Sequence, residues 1–207
     1  MSGCYDDMRA DQQILIDWIK PGSRVLDLGC GDGALLHCLM QQKDVSGYGI
    51  DYEDERILAS MARGVPVIQA DIERGLSEYF DDDSFDYVIM SQTLQALSRP
   101  DQTLLEMVRV GRQAIVAFPN FGNLDNRAQL LFKGQMPVTE TLPNEWYNTP
   151  NIHLCTVRDF EKLCRKLGLR VLESAVLNER LHRNLASRLA PNLFGEVALF
   201  RVERLTR

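Results

Sequence analysis

Residues 25–33 read Val25-Leu26-Asp27-Leu28-Gly29-Cys30-Gly31-Asp32-Gly33. A short apolar run ends at an acid and gives way to a turn with glycine at every second position. The run has the length and composition of a buried strand, and Leu35, Leu36, Leu39 and Met40 beyond it keep a helical spacing. A strand that passes through a glycine-rich turn into a helix opens a parallel β-α unit. The rhythm extends both ways. Upstream, Ile14, Leu15, Trp18 and Ile19 predict a helix from Asp6 to Lys20, stopped by Pro21-Gly22. Downstream, strands are expected over Tyr48–Ile50, Val65–Gln69, Phe85–Met90 and Ala114–Phe118, with helices over Asp54–Arg63 and Pro100–Arg109. Two last strands, Leu169–Leu177 and Glu196–Val202, fit a closing hairpin-like pair. The sum is an α/β fold: a doubly wound, mostly parallel seven-stranded sheet with helices on both faces.

The pattern lapses after Pro119-Asn120. Residues 120–155 contain Pro137, Pro143 and Pro150 and the adjacent aromatics Trp146-Tyr147. So long a connection is not an idle loop, and the expectation is a small cap segment on an otherwise single domain of residues 1–207. Helix resumes at Thr156: Thr156-x-x-Asp159 resembles a capping box, Phe160, Leu163 and Leu167 share a face, and Gly168 ends it.

Composition agrees with one compact domain. The chain has 207 residues, 45% hydrophobic and 25% charged, which excludes a disordered or fibrous class. No apolar run nears the roughly 20 residues of a membrane-spanning helix. Acids interrupt the first twenty residues, so they do not read as a signal peptide. The five cysteines form no C-x-x-C pair, which fits reduced thiols and a cytoplasmic protein. The net charge of −6 is unevenly spread: residues 158–207 hold 11 Lys/Arg against 6 Asp/Glu, and residues 1–157 hold 12 against 23. A chain acidic over three quarters of its length is a poor nucleic-acid binder, and its basic end reads as a solvated face.

Ligands of open parallel sheets bind beyond the carboxyl ends of the strands. Asp27, Asp51, Asp71, Ser91-Gln92 and Asn120 all fall at such ends. Asp51 stands twenty residues after Gly31, the separation at which an acid after the second strand can accept hydrogen bonds from ribose hydroxyls. Gly29-x-Gly31-x-x-Ala34 also satisfies a dinucleotide fingerprint, so the acids must decide which nucleoside is bound. A pyrophosphate at the turn would face Asp27 and Asp32, and one like-charge contact at 4 Å costs about 4 kcal/mol at an effective dielectric of 20. S-adenosylmethionine has no phosphate and carries an ammonium and a sulfonium. Asp27 near the ammonium, Asp51 on the ribose and Asp71 near the adenine amino group form a consistent set, which favours S-adenosylmethionine over NAD.

The 25–33 string resembles motif I of the class I S-adenosylmethionine-dependent methyltransferases. Asp51-Tyr52, Asp71-Ile72 and Phe85-Asp86-Tyr87-Val88 fall where that superfamily's later motifs belong. The resemblance implies a Rossmann-like fold and a site for S-adenosylmethionine or S-adenosylhomocysteine made by Asp27, Gly29, Cys30, Gly31, Asp32, Asp51, Tyr52, Asp71, Ile72 and Ser91. A narrower resemblance runs from about Met8 to Arg204. Ser91-Gln92-Thr93-Leu94-Gln95-Ala96, Phe118-Pro119-Asn120-Phe121-Gly122, the stretch from Glu145 to Cys155, and Gly195-Glu196-Val197-Ala198-Leu199 are similar to the methionine-biosynthesis protein MetW family. That resemblance implies a bacterial protein acting with a homoserine O-acyltransferase, as accessory or regulatory partner. A methyltransferase acting on a small molecule is the alternative.

Other features read more plainly. Cys30 is a small residue tolerated beside a ligand, and Asp32 also suits the N-cap of the following helix. Asp81-Asp82-Asp83-Ser84 is a solvated turn, and His37 is structural. His153 in the cap has no visible partner for general-base work. No Asn/Asp-Pro-Pro-aromatic run and no Pro-Cys pair occurs at the fourth strand, which disfavours methylation of nucleic-acid bases. No metal-ligand spacing such as H-E-x-x-H occurs.

Overall fold

A computed structural model describes residues 3–6, 8–178 and 189–205. Part of the basic C-terminal stretch noted above, residues 179–188, lies outside the described residues. After a helical turn, α1 (Gly3–Asp6), come α2 (Ala10–Trp18), β1 (Arg24–Leu28), α3 (Ala34–Lys43), β2 (Ser46–Asp51), α4 (Asp54–Ala62) and β3 (Val67–Gln69). The second half brings β4 (Phe85–Ser91), α5 (Pro100–Val110), β5 (Gly111–Pro119), α6 (Leu124–Ala128), α7 (Val157–Lys166), β6 (Leu169–Leu177) and β7 (Val197–Arg204). The seven strands lie in the order β3-β2-β1-β4-β5-β7-β6. The first five are parallel, and β7 runs antiparallel between β5 and β6. Order reverses between β1 and β4, so the carboxyl ends of these two strands frame a crevice.

Both faces of the sheet are covered because the strands alternate. Leu26 and Leu28 of β1, Val88 and Met90 of β4, and Val116 and Phe118 of β5 enter a core shared with α5 and α7. There Phe118, Phe160 and Phe200 pack with ring centroids 4.7–6.0 Å apart. Val25, Ile89 and Ile115 point the other way, into a core with Leu15, Ile16 and Ile19 near α2 and Leu35, Leu36 and Leu39 of α3. Asp27 belongs by alternation to this second face, at the end of β1.

Helix and strand limits shift for identifiable reasons. The expected helix over Asp6–Lys20 is two pieces, with Arg9 as the N-cap of α2, where its N–H donates to Gln12 Oε1 at 3.2 Å. Its end comes at Trp18, with Ile19 already extended ahead of Lys20-Pro21. The Lys43 ammonium caps that end, donating to the carbonyls of Ile16 (2.5 Å) and Ile19 (2.7 Å). β3 begins at Val67 rather than Val65, because Pro66 has no N–H for the ladder and Val65 N–H closes α4 on Ser60 O at 3.1 Å. β5 is longer than expected at both ends, and the closing β6–β7 pair forms as read.

Residues 120–155 contain little regular structure beyond α6 and a π-helical turn over Gln129–Lys133. Asn120 anchors the segment. It is buried, its Oδ1 accepts from Gly122 N–H (3.1 Å) and Val157 N–H (3.2 Å), and its Nδ2 donates to Gly195 O at 2.6 Å. Among the described residues no helix is long and apolar enough to cross a membrane.

Candidate functional site

The turn after β1 is built by contacts that forbid side chains. Gly29, Gly31 and Gly33 all have φ between 59° and 73°, the left-handed region. A Cβ on Gly29 would sit 2.6 Å from Thr93 Oγ1, and one on Gly33 would sit 2.8 Å from Ser60 Oγ. The first glycine therefore lets the turn approach the loop after β4, and the third lets α3 approach α4. Ser60, fully buried, donates to Gly31 O at 2.9 Å and fixes the turn from behind. Cys30 points the same way: its Sγ lies 3.8 Å from Ser60 Oγ and fills the space beside Gly49. Burial pushes its thiol up to about 12, so Cys30 is a packing wedge rather than a thiolate.

Asp51 at the end of β2 is the hinge of the arrangement. It is buried; its Oδ2 accepts from Gly31 N–H at 2.9 Å, and its Oδ1 accepts from Tyr52 and Glu53 N–H at 2.8 and 3.1 Å. A carboxylate has about four acceptor positions, so one on Oδ2 is left for a ligand hydroxyl. Beside it opens a cavity of 340 Å³ lined by Gly29, Ile50, Asp51, Tyr52, Arg56, Ala70, Asp71, Ile72, Glu73, Thr93, Ala96 and Leu97. Its floor is apolar and its rim is acidic. The one arginine of the lining, Arg56, is engaged by Glu53 at 2.9 Å and also pairs with Asp51 Oδ2 at 3.9 Å, beyond hydrogen-bond reach. Asp71 caps the short turn Ile72–Arg74, its Oδ1 accepting from Glu73 N–H at 3.0 Å, and it keeps a half-exposed face toward the opening.

A second group lies beyond the ends of β1 and β4. Asp27 is buried, and its carboxyl is pushed up to about 7, first by burial and then by Asp51, with Arg9 opposing. Arg9 crosses from the start of α2, donating from Nη2 to Ser91 Oγ at 3.2 Å, and clamps the buried Asp11 through two contacts of 3.1 Å. Gln92 holds a left-handed backbone, φ 60°, unusual for a residue with a side chain. Its N–H donates to Ala117 O at 2.8 Å and its Nε2 reaches Asp11 Oδ2 at 3.5 Å. Gln95 follows, bonded to the connection between β5 and α7. Its side chain donates to Gln92 O at 2.8 Å, its backbone carbonyl receives Ile152 and His153 N–H at 2.8 and 3.0 Å, and its Oε1 is buried with no donor among the described residues.

Of the residues picked out from the sequence, Gly29, Asp51, Tyr52, Asp71 and Ile72 line the cavity. Asp27, Gly31 and Ser91 are not among the lining residues: Asp27 is buried at the end of β1, Ser91 accepts from Arg9 at the end of β4, and Gly31 contributes through its bond to Asp51. Cys30 turns behind the turn, as described. Asp32 is exposed; it accepts from Ala34 N–H at 3.2 Å and pairs with Arg63 at 2.7 Å, while Gly33 takes the N-cap position of α3. No residue of 120–155 lines the cavity. Thr93, read with Ser91 and Gln92 as a ligand contact at the end of the fourth strand, lines the cavity. Arg9, Asp11 and Arg56 were not singled out by the sequence. Arg9 and Asp11 carry no local mark, because tertiary folding alone brings α2 to the end of β4.

Comparison with known proteins bears on this geometry. Residues 9–202 match the family model described as methionine biosynthesis protein MetW. The bifunctional methionine biosynthesis protein MetXA/MetW of Rhodopirellula baltica is 33% identical over 97% of the chain. The chain belongs to the MetW family. It spans about a third of the length of that curated relative, 33%. Among solved structures, a SAM-dependent methyltransferase from Archaeoglobus fulgidus superposes with a TM-score of 0.70 at 18% identity, covering 94% of this chain and 92% of that one. Magnesium protoporphyrin IX methyltransferase from Synechocystis, solved with bound SAH, gives 0.65 at 16% identity, covering 95% and 84%. At such identities these likenesses establish the fold, a Rossmann-like class I methyltransferase architecture.

Proposed function

We propose that the cleft binds S-adenosylmethionine or S-adenosylhomocysteine, and that the protein acts with a homoserine O-acyltransferase as an accessory or regulatory partner. The observation that carries the partnership is the Rhodopirellula relative, whose name joins MetXA and MetW in one polypeptide of which this chain matches a third. The cavity suits the nucleoside. Asp51 has an acceptor position for ribose hydroxyls, Asp71 offers an acceptor for the adenine amino group, and Ile50, Ala70, Ile72 and Leu97 supply apolar contact. At the other end, Asp27 offers a buried carboxyl that a ligand ammonium would ionise, and Arg9 nearby offers a cation for a ligand carboxylate, as the zwitterionic amino-acid portion requires. A phosphate-bearing nucleotide is disfavoured by Asp51, Asp71 and Glu73 around the opening.

Bound there, the ligand would supply an activated methyl group or serve as a signal of methionine sufficiency; Asp27, Asp51 and Asp71 would bind and orient it. Methyltransferase relatives in structure favour a second reading, transfer to a small molecule. The experiment is the activity of the cognate homoserine O-acyltransferase with and without this protein, across a titration of S-adenosylmethionine. The expected result is an activity change that requires this protein, tracks the titration, and loses its ligand dependence in Asp51→Ala. An acyltransferase indifferent to the protein would overturn the partnership and direct the search to a methyl acceptor.

A further inference from the structure

The connection between β5 and α7 leaves an unusual amount of apolar surface in water. Ten of the twenty large apolar side chains exposed among the described residues lie within residues 124–154. Leu131 and Phe132, on the π-helical turn, are 77% and 82% exposed, and Trp146, Tyr147 and Ile152 are 73%, 71% and 60% exposed. Concentrations of this kind mark interaction sites, and aromatic side chains are the ones that anchor them. Trp146 and Tyr147 touch each other edge to face, with centroids 5.8 Å apart, so two anchors stand together.

The charge of the segment defines its partner. Between Lys133 and Arg158 there is no lysine or arginine, while Glu140 and Glu145 are present. Around Trp146, Tyr147 and Ile152 such a surface offers nucleic acid and anionic lipid headgroups no lysine or arginine to bind, and with only Arg127 and Lys133 flanking Leu131 and Phe132 the segment suits a protein. Its attachment adds a second constraint. Ile152 and His153 are bonded to the Gln95 carbonyl, and Gln95 lies between Thr93 and Ala96, which line the cavity. The segment that carries the exposed aromatics is thus bonded to the wall of the cavity at Ile152 and His153, and none of its residues lines the cavity.

We infer that the face carried by Leu131, Phe132, Trp146, Tyr147 and Ile152 is the docking surface for the homoserine O-acyltransferase. This rests on the partnership proposed above, and it names where that partnership is made. In the fused relative the acyltransferase portion is tethered permanently to a domain of this kind, so a dedicated contact face is expected on both. A separate chain must hold its partner by surface alone, and this segment supplies the apolar anchors for it.

The test is direct binding of the purified cognate acyltransferase to the full chain, compared with Trp146→Ser/Tyr147→Ser and, separately, Phe132→Ser. Affinity for S-adenosylhomocysteine, read in parallel, verifies that the variants retain the ligand site. The expected result is a Kd for the acyltransferase raised roughly tenfold or more in the double variant, with ligand affinity unchanged. Equal acyltransferase affinity in wild type and both variants overturns the surface and leaves the partnership standing. Failure of the wild-type chain to bind the acyltransferase at all overturns both. Self-association of the wild type that the variants abolish, with acyltransferase affinity untouched, assigns the face to a second copy and overturns the inference as well.

Discussion

Asp27 concentrates the chemistry of the site in one carboxyl. Burial at the end of β1 and the neighbouring Asp51 raise it to about 7, against the partial relief given by Arg9. A raised carboxyl favours its protonated form in the folded chain, so its contribution to stability is complete below about pH 4, where it is protonated even when unfolded, and is lost as pH rises through 7. A bound ammonium reverses the preference, because it stabilises the carboxylate. Binding of S-adenosylhomocysteine should therefore release a proton below pH 7, with affinity rising from pH 5.5 to about 7 and flat above. Calorimetry in buffers of different ionisation enthalpy measures the released proton directly. Asp27→Asn should remove both the release and the slope; a slope that persists would assign the proton to another group. The acid itself was legible because strand, acid and glycine turn are consecutive in the chain. Arg9, eighteen residues upstream, was not, since only the docking of α2 against the sheet brings it to Ser91.

Among the elements, those with a repeating pattern were legible and those held by single polar groups were not. β1, β4 and α7 fall within a residue or two of their expected places because their apolar residues repeat at strand or helix spacing. Residues 120–155 have no period to read: their conformation depends on backbone groups seeking individual partners, such as Phe121 N–H on Cys155 O at 2.9 Å. Asn120 shows how this works. Sequence marked it only as a polar residue at a strand end, a place where ligands bind. In the structure both ends of its amide are consumed in joining β5, α7 and the turn Pro191–Phe194. Asn120→Ala strips partners from buried Val157 and Gly122 N–H groups and from Gly195 O, for a loss of about 3 kcal/mol. In a chain of this size that is a fall in Tm of roughly 6–12 °C, measurable by calorimetry. Because Asn120 does not line the cavity, affinity for S-adenosylhomocysteine below the transition should stay within about twofold of wild type. A large loss of ligand affinity with Tm intact would instead make Asn120 a ligand residue.

At the scale of the molecule, one short stretch joins the cavity to the segment that carries the exposed apolar residues. Thr93, Ala96 and Leu97 line the cavity, and Gln95, among them, holds Ile152 and His153. Gln95 Oε1 is buried and meets no donor among the described residues, and Gln92 nearby holds a strained left-handed backbone, so the stretch is not at an energetic optimum. A stretch of that kind can settle differently when the cavity fills, and Ile152 and His153 must follow because their N–H groups are bonded to the Gln95 carbonyl. Ligand and partner would then be coupled through it. Linkage requires the coupling to be mutual: whatever factor S-adenosylmethionine applies to acyltransferase affinity, the acyltransferase applies to S-adenosylmethionine affinity. Couplings of this type run about 5- to 150-fold. The measurement is a pair of titrations, acyltransferase into chain with and without saturating ligand, and ligand into chain with and without acyltransferase. Equal factors well above one in both are expected. A factor of one in both, with each binding normally alone, would mean that the stretch from Thr93 to Leu97 transmits nothing and that any ligand response of acyltransferase activity arises elsewhere.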